Sequence, residues 1–199
     1  MQDWLYSDIV KDHFTNPRNV LLEDEAAFDA NCRGQAGNIR CGDQMTMLLK
    51  IEDDVIRDAR WKTYGCASAI ASTSMLSEII KGMHISEAYK IRPEDLVEKL
   101  GGLPSLKIHC SVLGDKALRL AIDDYLSKTG RPGMLKEAAV EICHCLGITD
   151  KDIEKAFLNG ARTWELLQQA TKIGTVCGGC KEKTLELLHN FEHIYGEKE

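Results

Sequence analysis

The stretch QMTMLLKIEDDVIRDARWKTYGCASAIASTSML, residues 44–76, changes its periodicity part-way, and that change decides the fold class. Over its first part Met45, Met47, Leu49 and Ile51 alternate with other residues, which places them on one face of a strand. The acidic run Glu52-Asp53-Asp54 interrupts the pattern, and VIRDARWKTYG follows it. Two such runs across a short turn predict an antiparallel hairpin. From Cys66 the sequence turns to alanine and serine and runs on to Gly82, which predicts a helix with a surface small enough for a neighbour to approach closely. A hairpin feeding a helix points to a mixed α+β fold.

Working outward, the amino-terminal segment reads as a helix with Trp4, Leu5, Ile9, Val10 and Phe14 as its apolar stripe. TNPRN, residues 15–19, ends it, because Pro17 cannot donate to the preceding turn. Residues 20–40 are acidic, then glycine-containing, and read as irregular. Downstream, ISEAYKI and PEDLVEKL are short helices, and SVLGDKALRLAIDDYLSK is a long one. TGRPG, residues 129–133, has the composition of a linker. The expected domains are therefore 1–130 and 131–199. The second is expected to be all-helical, with Thr149 capping DKDIEKAFLNG and Asp150 and Asp152 suited to its positive start.

Of the 199 residues, 44% are hydrophobic and 28% charged, an ordinary globular composition. The net charge of −6 is spread along the length with no basic run, which argues against nucleic acid as a partner. No apolar run approaches the roughly 18–20 residues that cross a bilayer. The start MQDWLYSDIVKDHF carries acidic residues where a signal peptide would want a basic region and an apolar core. A cytoplasmic location is expected. Eight cysteines in such a chain point to metal or redox chemistry more than to disulfides.

The cysteines form two sets. Cys143, Cys145, Cys177 and Cys180 make a C-x-C and a C-x-x-C pair, a soft donor set for tetrahedral zinc or an iron–sulfur cluster. A zinc ribbon ordinarily uses two C-x-x-C knuckles on hairpins, so a C-x-C pair in helical surroundings favours the cluster. Gly178 and Gly179 leave backbone amides free to turn towards sulfur. In the first domain Cys41, Cys66 and Cys110 lie far apart in sequence, so any site must be assembled by folding. Each has a donating or activating neighbour. Cys41 has Asp43; Cys66 starts a helix, whose dipole favours thiolate; Cys110 also starts one and follows His109. Thiols mixed with a carboxylate and an imidazole suit a metal or cluster that must arrive and leave. Buried packing thiols are the alternative.

EICHC…NGARTWELLQQATKIGTVCGGCKEKTLELL, over residues 138–190, resembles the bacterioferritin-associated ferredoxin type of [2Fe-2S] domain. The resemblance implies that Cys143, Cys145, Cys177 and Cys180 ligate one permanent cluster. YSDIVKDHFTNPRNV, RCGDQM, TYGCASAIASTS and LPSLKIHCSVLGDKAL, in that order across residues 6–126, resemble the IscU family of iron–sulfur scaffolds. The two segments in tandem are similar to the NifU type of scaffold. That family implies a two-layer α/β sandwich on a three-stranded antiparallel sheet, with the cysteines clustered at one end.

By the same resemblance, Cys41, Asp43, Cys66, His109 and Cys110 are the assembly site for a labile cluster, taking iron, or zinc in its absence. Cys110 matches the thiol that accepts persulfide sulfur from a cysteine desulfurase of the NifS or IscS type. Tyr6 matches a tyrosine linked to handling that persulfide. The implied protein is not an enzyme. It is a scaffold, expected as a homodimer, that builds a labile [2Fe-2S] cluster, or a [4Fe-4S] cluster between subunits, and passes it to apo-proteins of nitrogen fixation or general metabolism. The permanent cluster would supply its electrons. Two rival readings are an electron-transfer protein with an IscU-like docking domain, and zinc storage at the first site. Ser105 and Leu106 depart from a chaperone-binding motif of the scaffolds. Cys32 has no counterpart and reads as a bystander. A third, carboxy-terminal C-x-x-C domain of the NifU type is absent from these 199 residues. His144 is expected in solvent, and His13, His84, His189 and His193 at the surface or in packing.

Overall fold

The hairpin forms as expected, and it is two-thirds of a three-stranded antiparallel sheet. The computed structural model describes residues 6–38, 43–103 and 112–196, without the side chains of Asn38, Asp43 and His193. β1 spans Cys32–Asn38, β2 Asp43–Glu52 and β3 Val55–Thr63, in the spatial order β1-β2-β3. Asp53 and Asp54, the two residues between β2 and β3, have φ of 51° and 60°. A two-residue turn with both φ positive is the kind whose twist matches that of the flanking strands, and aspartate tolerates it better than most residues.

β1 falls where the sequence reads as irregular, and its composition explains the difference. Cys32, Gly34 and Ala36 are buried and alternate with exposed Arg33 and Gln35, so the period is that of a strand, written in small residues. Gly34 stands opposite Met47, which stands opposite Trp61. On that face lies α5 (Val112–Lys128). A Cβ on Gly34 would sit 2.0 Å from the Ala117 carbonyl oxygen and 2.4 Å from the Ala121 nitrogen. Small residues on β1 are therefore what let α5 lie flat on the sheet. Met45, Met47 and Leu49 are fully buried beneath the helices, each such side chain contributing roughly 1.5–3 kcal/mol by burial. Across the sheet's other face, Glu25 of the short turn Glu25–Ala27 pairs with Arg33 at 2.9 Å and Lys62 at 2.6 Å, tying β1 to β3.

α2 (Ala67–Ile79) is buried on nearly all sides, including Ser68, Ser72, Thr73, Ser74 and Ser77. Two of its hydroxyls are absorbed locally: Ser72 donates to the Ser68 carbonyl and Ser77 to the Ser74 carbonyl, both at 2.7 Å. α1 (Asp8–Thr15) ends just before Pro17, as predicted, and is N-capped by Ser7, whose Oγ accepts from the Val10 amide at 3.1 Å. Only Val10 and His13 of this helix are buried; Ile9 and Phe14 remain exposed. The narrow buried stripe follows from what lies opposite, since His13 Nδ1 bonds Ser74 Oγ at 2.8 Å. α3 (Ile85–Ala88) and α4 (Pro93–Lys99) follow, the latter with proline in its first turn.

The chain divides into two compact units, one ending at Lys136 and one beginning at Glu137. Arg131 stays with the first: its guanidinium makes two 2.7 Å bonds to Asp54 and stacks on Tyr125. The second unit contains β4 (Glu141–Cys143), β5 (Ile148–Thr149), α6 (Asp150–Leu158), α7 (Trp164–Thr171) and α8 (Lys181–Tyr195). The expectation of an all-helical unit is thus corrected by an antiparallel pair, too short for any sequence period to register. Thr149 caps α6 as predicted, with Asp152 closing the reciprocal bond at 2.9 Å. Phe157, Phe191 and Tyr195 pack ring on ring at 5.6–6.3 Å to form its core. No helix among the described residues is long and apolar enough to cross a membrane.

Candidate functional site

In the second unit all four predicted cysteines come together. Cys143 ends β4, and Cys145 lies in the turn that Gly147, with φ +62°, closes before β5. Cys177 precedes α8, and Cys180 occupies its N-cap position. The C-x-C pair therefore sits on a small hairpin, which removes helical surroundings as an argument against zinc. Cys145 and Cys177 are in contact, sulfur to sulfur, at 3.3 Å, and Cys143 and Cys180 are near enough to shift one another's pKa. Each pair joins one thiol from the hairpin to one from the approach to α8. Among the described residues no three such donors close around a single ion. Four thiols brought together from two elements form a donor set that a [2Fe-2S] cluster can use.

The pairs differ in setting. Cys143 and Cys180 are buried, at 2% and 8% exposure, whereas Cys145 and Cys177 are open to solvent. Within each pair one sulfur is held as the more acidic thiol by backbone amides. The Gly174 amide beside Cys143 lowers its pKa, helped by the Cys180 thiol, and the Gly179 amide, 3.5 Å from Cys177, does the same there. The partners move the other way: Cys145 is raised by donating to Cys177, and Cys180 by burial first and then by Cys143. Amides aimed at sulfur stabilise negative charge on it, as a thiolate-bound cluster requires. His144 is exposed, as expected, and lies 2.9 Å from Glu141.

Of the residues expected to form a first-unit site, Asp43 and Cys66 lie within the described residues. Asp43 begins β2, and Cys66 is the N-cap residue of α2, at a helix start where the dipole favours an anion. Cys41, His109 and Cys110 lie outside the described residues, as do Ser105 and Leu106. Tyr6 packs against the cluster of Val10, Ala71 and Leu100, and its hydroxyl is 3.1 Å from Ser68 Oγ, in the first turn after Cys66. Cys32 stands apart: it is 2% exposed within β1, and burial pushes its pKa up to about 12, leaving an inert thiol.

The NifU-like N terminal domain model matches residues 5–132. The chain belongs to that family. A BFD-like [2Fe-2S] binding domain follows over residues 141–190, covering all four paired cysteines. Among the relatives is the iron–sulfur cluster assembly scaffold protein IscU of Aquifex aeolicus, 53% identical over 129 residues, which are 63% of this chain and 79% of that protein. The nitrogen fixation protein NifU of Trichormus azollae is 35% identical over 190 residues, 93% of this chain and 63% of its own length. That of Azospirillum brasilense is 40% identical over 192 residues, 93% and 59%. The chain spans about three-fifths of the length of these NifU proteins. Trp164 escaped the sequence reading; its only signal there was its place directly after the capping Thr163.

Proposed function

We propose that this chain is a scaffold on which iron–sulfur clusters are assembled and from which they are passed to apo-proteins. The observation that carries this is the pairing, in one chain, of a NifU-like domain over 5–132 with a [2Fe-2S]-binding domain over 141–190. The domains are taken as 1–130 and 131–199, a division by composition that falls six residues ahead of the packing boundary at Lys136. The scaffold works in the cytoplasm as a homodimer, and its clients serve nitrogen fixation or general metabolism.

The first domain treats iron and sulfur as cargo. A cysteine desulfurase hands its terminal persulfide sulfur to the Cys110 thiolate, keeping its own sulfur as a thiolate. Two electrons then cleave the Cys110 persulfide to sulfide and free thiolate. Ferrous iron is held by Cys41, Asp43, Cys66 and the His109 and Cys110 pair; zinc occupies the same donors when iron is lacking. The nascent cluster is [2Fe-2S], and two of them join as [4Fe-4S] between subunits on taking up two more electrons, which, like the two that cleave the persulfide, come from an external low-potential electron donor. Thiolate grips cluster iron more firmly than carboxylate does, so the Asp43 corner is where the cargo is released. Tyr6, its hydroxyl beside Ser68 in the first turn of α2, takes the role of the tyrosine that handles the persulfide.

In the second domain Cys143, Cys145, Cys177 and Cys180 hold a permanent [2Fe-2S] group, which supplies one-electron redox chemistry when bound. The chain's own contribution there is the set of amides at Gly174 and Gly179, and the burial of Cys143 and Cys180.

The test is iron and sulfide analysis of the whole chain before and after incubation with desulfurase, cysteine and ferrous iron. A scaffold holds about one cluster as isolated and gains a second, chelator-sensitive one. A chain that gains none is not a scaffold.

A further inference from the structure

The buried half of the four-cysteine site is backed by a single aromatic side chain. Gly174 has φ +70°, and a Cβ built on it would meet Trp164 Cη2 at 2.5 Å and Cζ2 at 2.8 Å. The far edge of the indole therefore rests directly on the Gly174 backbone. The same Cβ would lie 3.7 Å from Cys180 Sγ, so this point of the loop is also the cover over that sulfur. Trp164 itself is held from two sides. Thr163 caps α7, its Oγ 3.3 Å from the Leu166 amide, which fixes Trp164 as the first residue of that helix. Lys181, the residue after Cys180, lays its ammonium 5.5 Å from the centre of the indole. The rest of the ring borders an open cavity of about 450 Å³ lined also by Arg162, Leu185 and His189.

We propose that Trp164 is a positioning residue for the four-cysteine site: its indole edge fixes the Gly174 backbone, which holds this point of the loop against the Cys180 sulfur and keeps water from it. The inference rests on the second-domain reading above and deepens it. Two functions follow from one ring, and they are separable by size. A phenyl group at position 164 still covers the cavity side but stops short of Gly174, because the contact is made by the outermost atoms of the indole. An alanine removes both the contact and the cover. Loosening the loop over the sulfur lets solvent approach and favours the more negative, reduced cluster, and removing the cover altogether exposes the sulfur to displacement.

The experiment uses the full chain, isolated with its permanent cluster, as wild type, Trp164→Phe and Trp164→Ala. Three readouts are followed: the midpoint potential, the rate of iron loss to a chelator, and tryptophan emission with and without the cluster. Trp164→Phe is expected to raise the potential by about a tenfold change in the redox equilibrium constant, about 59 mV for one electron, with little change in iron loss. Trp164→Ala is expected to speed iron loss by about tenfold or more. The emission that disappears on Trp164→Phe is expected to be the part the cluster quenches. A Trp164→Phe chain with the wild-type potential, or a Trp164 emission indifferent to the cluster, overturns the proposal. If the wild-type chain itself carries no iron and sulfide, it is the second-domain reading that fails, and the two failures are told apart by that first analysis.

Discussion

Replacing Gly34 by alanine tests the contact on which the first domain is built. The added methyl would lie 2.0 Å from the Ala117 carbonyl oxygen, 2.4 Å from the Ala121 nitrogen and 3.0 Å from its Cα. All three are backbone atoms of α5, so no side chain can swing aside. α5 must withdraw from β1 by roughly 1 Å or more, and a gap of that size forfeits about a quarter to a half of the dispersion attraction along the contact. Overpacking costs about 1–3 kcal/mol in general, and a clash with backbone belongs at the upper end. Alanine's lower chain entropy offsets only about 0.4–1 kcal/mol, so the clash wins. A net loss of about 2 kcal/mol is a large share of a domain's ~5–15 kcal/mol, and lowers the melting temperature by roughly 5–10 °C. The assay is urea unfolding of the cluster-free chain, followed by circular dichroism and by the emission of Trp61, which lies on the same face as Gly34. Gln35→Ala, on the exposed side of β1, is the control. A Gly34→Ala chain within about 0.5 kcal/mol of wild type would refute the close approach of α5.

His13 predicts a pH dependence. Burial first, and the Arg18 charge second, lower its pKa below 6.5, against smaller opposing effects of Glu78 and Asp12. A histidine depressed in the folded state adds stability above its unfolded pKa of 6.5, and that stability is lost as pH falls through the lower folded value. Unfolding midpoints measured from pH 7 to 5 should therefore fall, and fall less in His13→Gln; identical slopes would contradict this. Asp43→Ala is expected to slow cluster transfer to an apo-ferredoxin several-fold, by leaving the cargo on thiolates alone. Unchanged transfer kinetics would remove the carboxylate from the release step.

The hairpin of β2 and β3 was legible because its large apolar residues alternate without interruption, and α6 because Thr149 and Asp152 form a cap that any sequence reader can find. β1 was not, since cysteine, glycine and alanine at the buried positions carry almost no hydrophobic signal; their spacing makes sense only once α5 is placed above them. β4 and β5 are three and two residues long, below the length at which a period exists. The four-cysteine site was legible as a set, because two close pairs survive in the linear sequence. The way they pair was not: Cys145 meets Cys177 and Cys143 meets Cys180 only through the folding of a hairpin against the start of α8. Trp164 shows the same limit, since its contact is with a glycine backbone ten residues on.

The most direct test of a two-site scaffold is to disable each site separately. Cys66→Ala and the double variant Cys143→Ser with Cys177→Ser are each assayed for iron and acid-labile sulfide, before and after incubation with a cysteine desulfurase, cysteine and ferrous iron. A scaffold with one labile and one permanent site gives a Cys66→Ala chain that keeps its cluster as isolated and gains none. It gives a double variant that starts empty and still gains a chelator-sensitive cluster. A Cys66→Ala chain that assembles a second cluster as wild type does would contradict the assignment of assembly to the first domain.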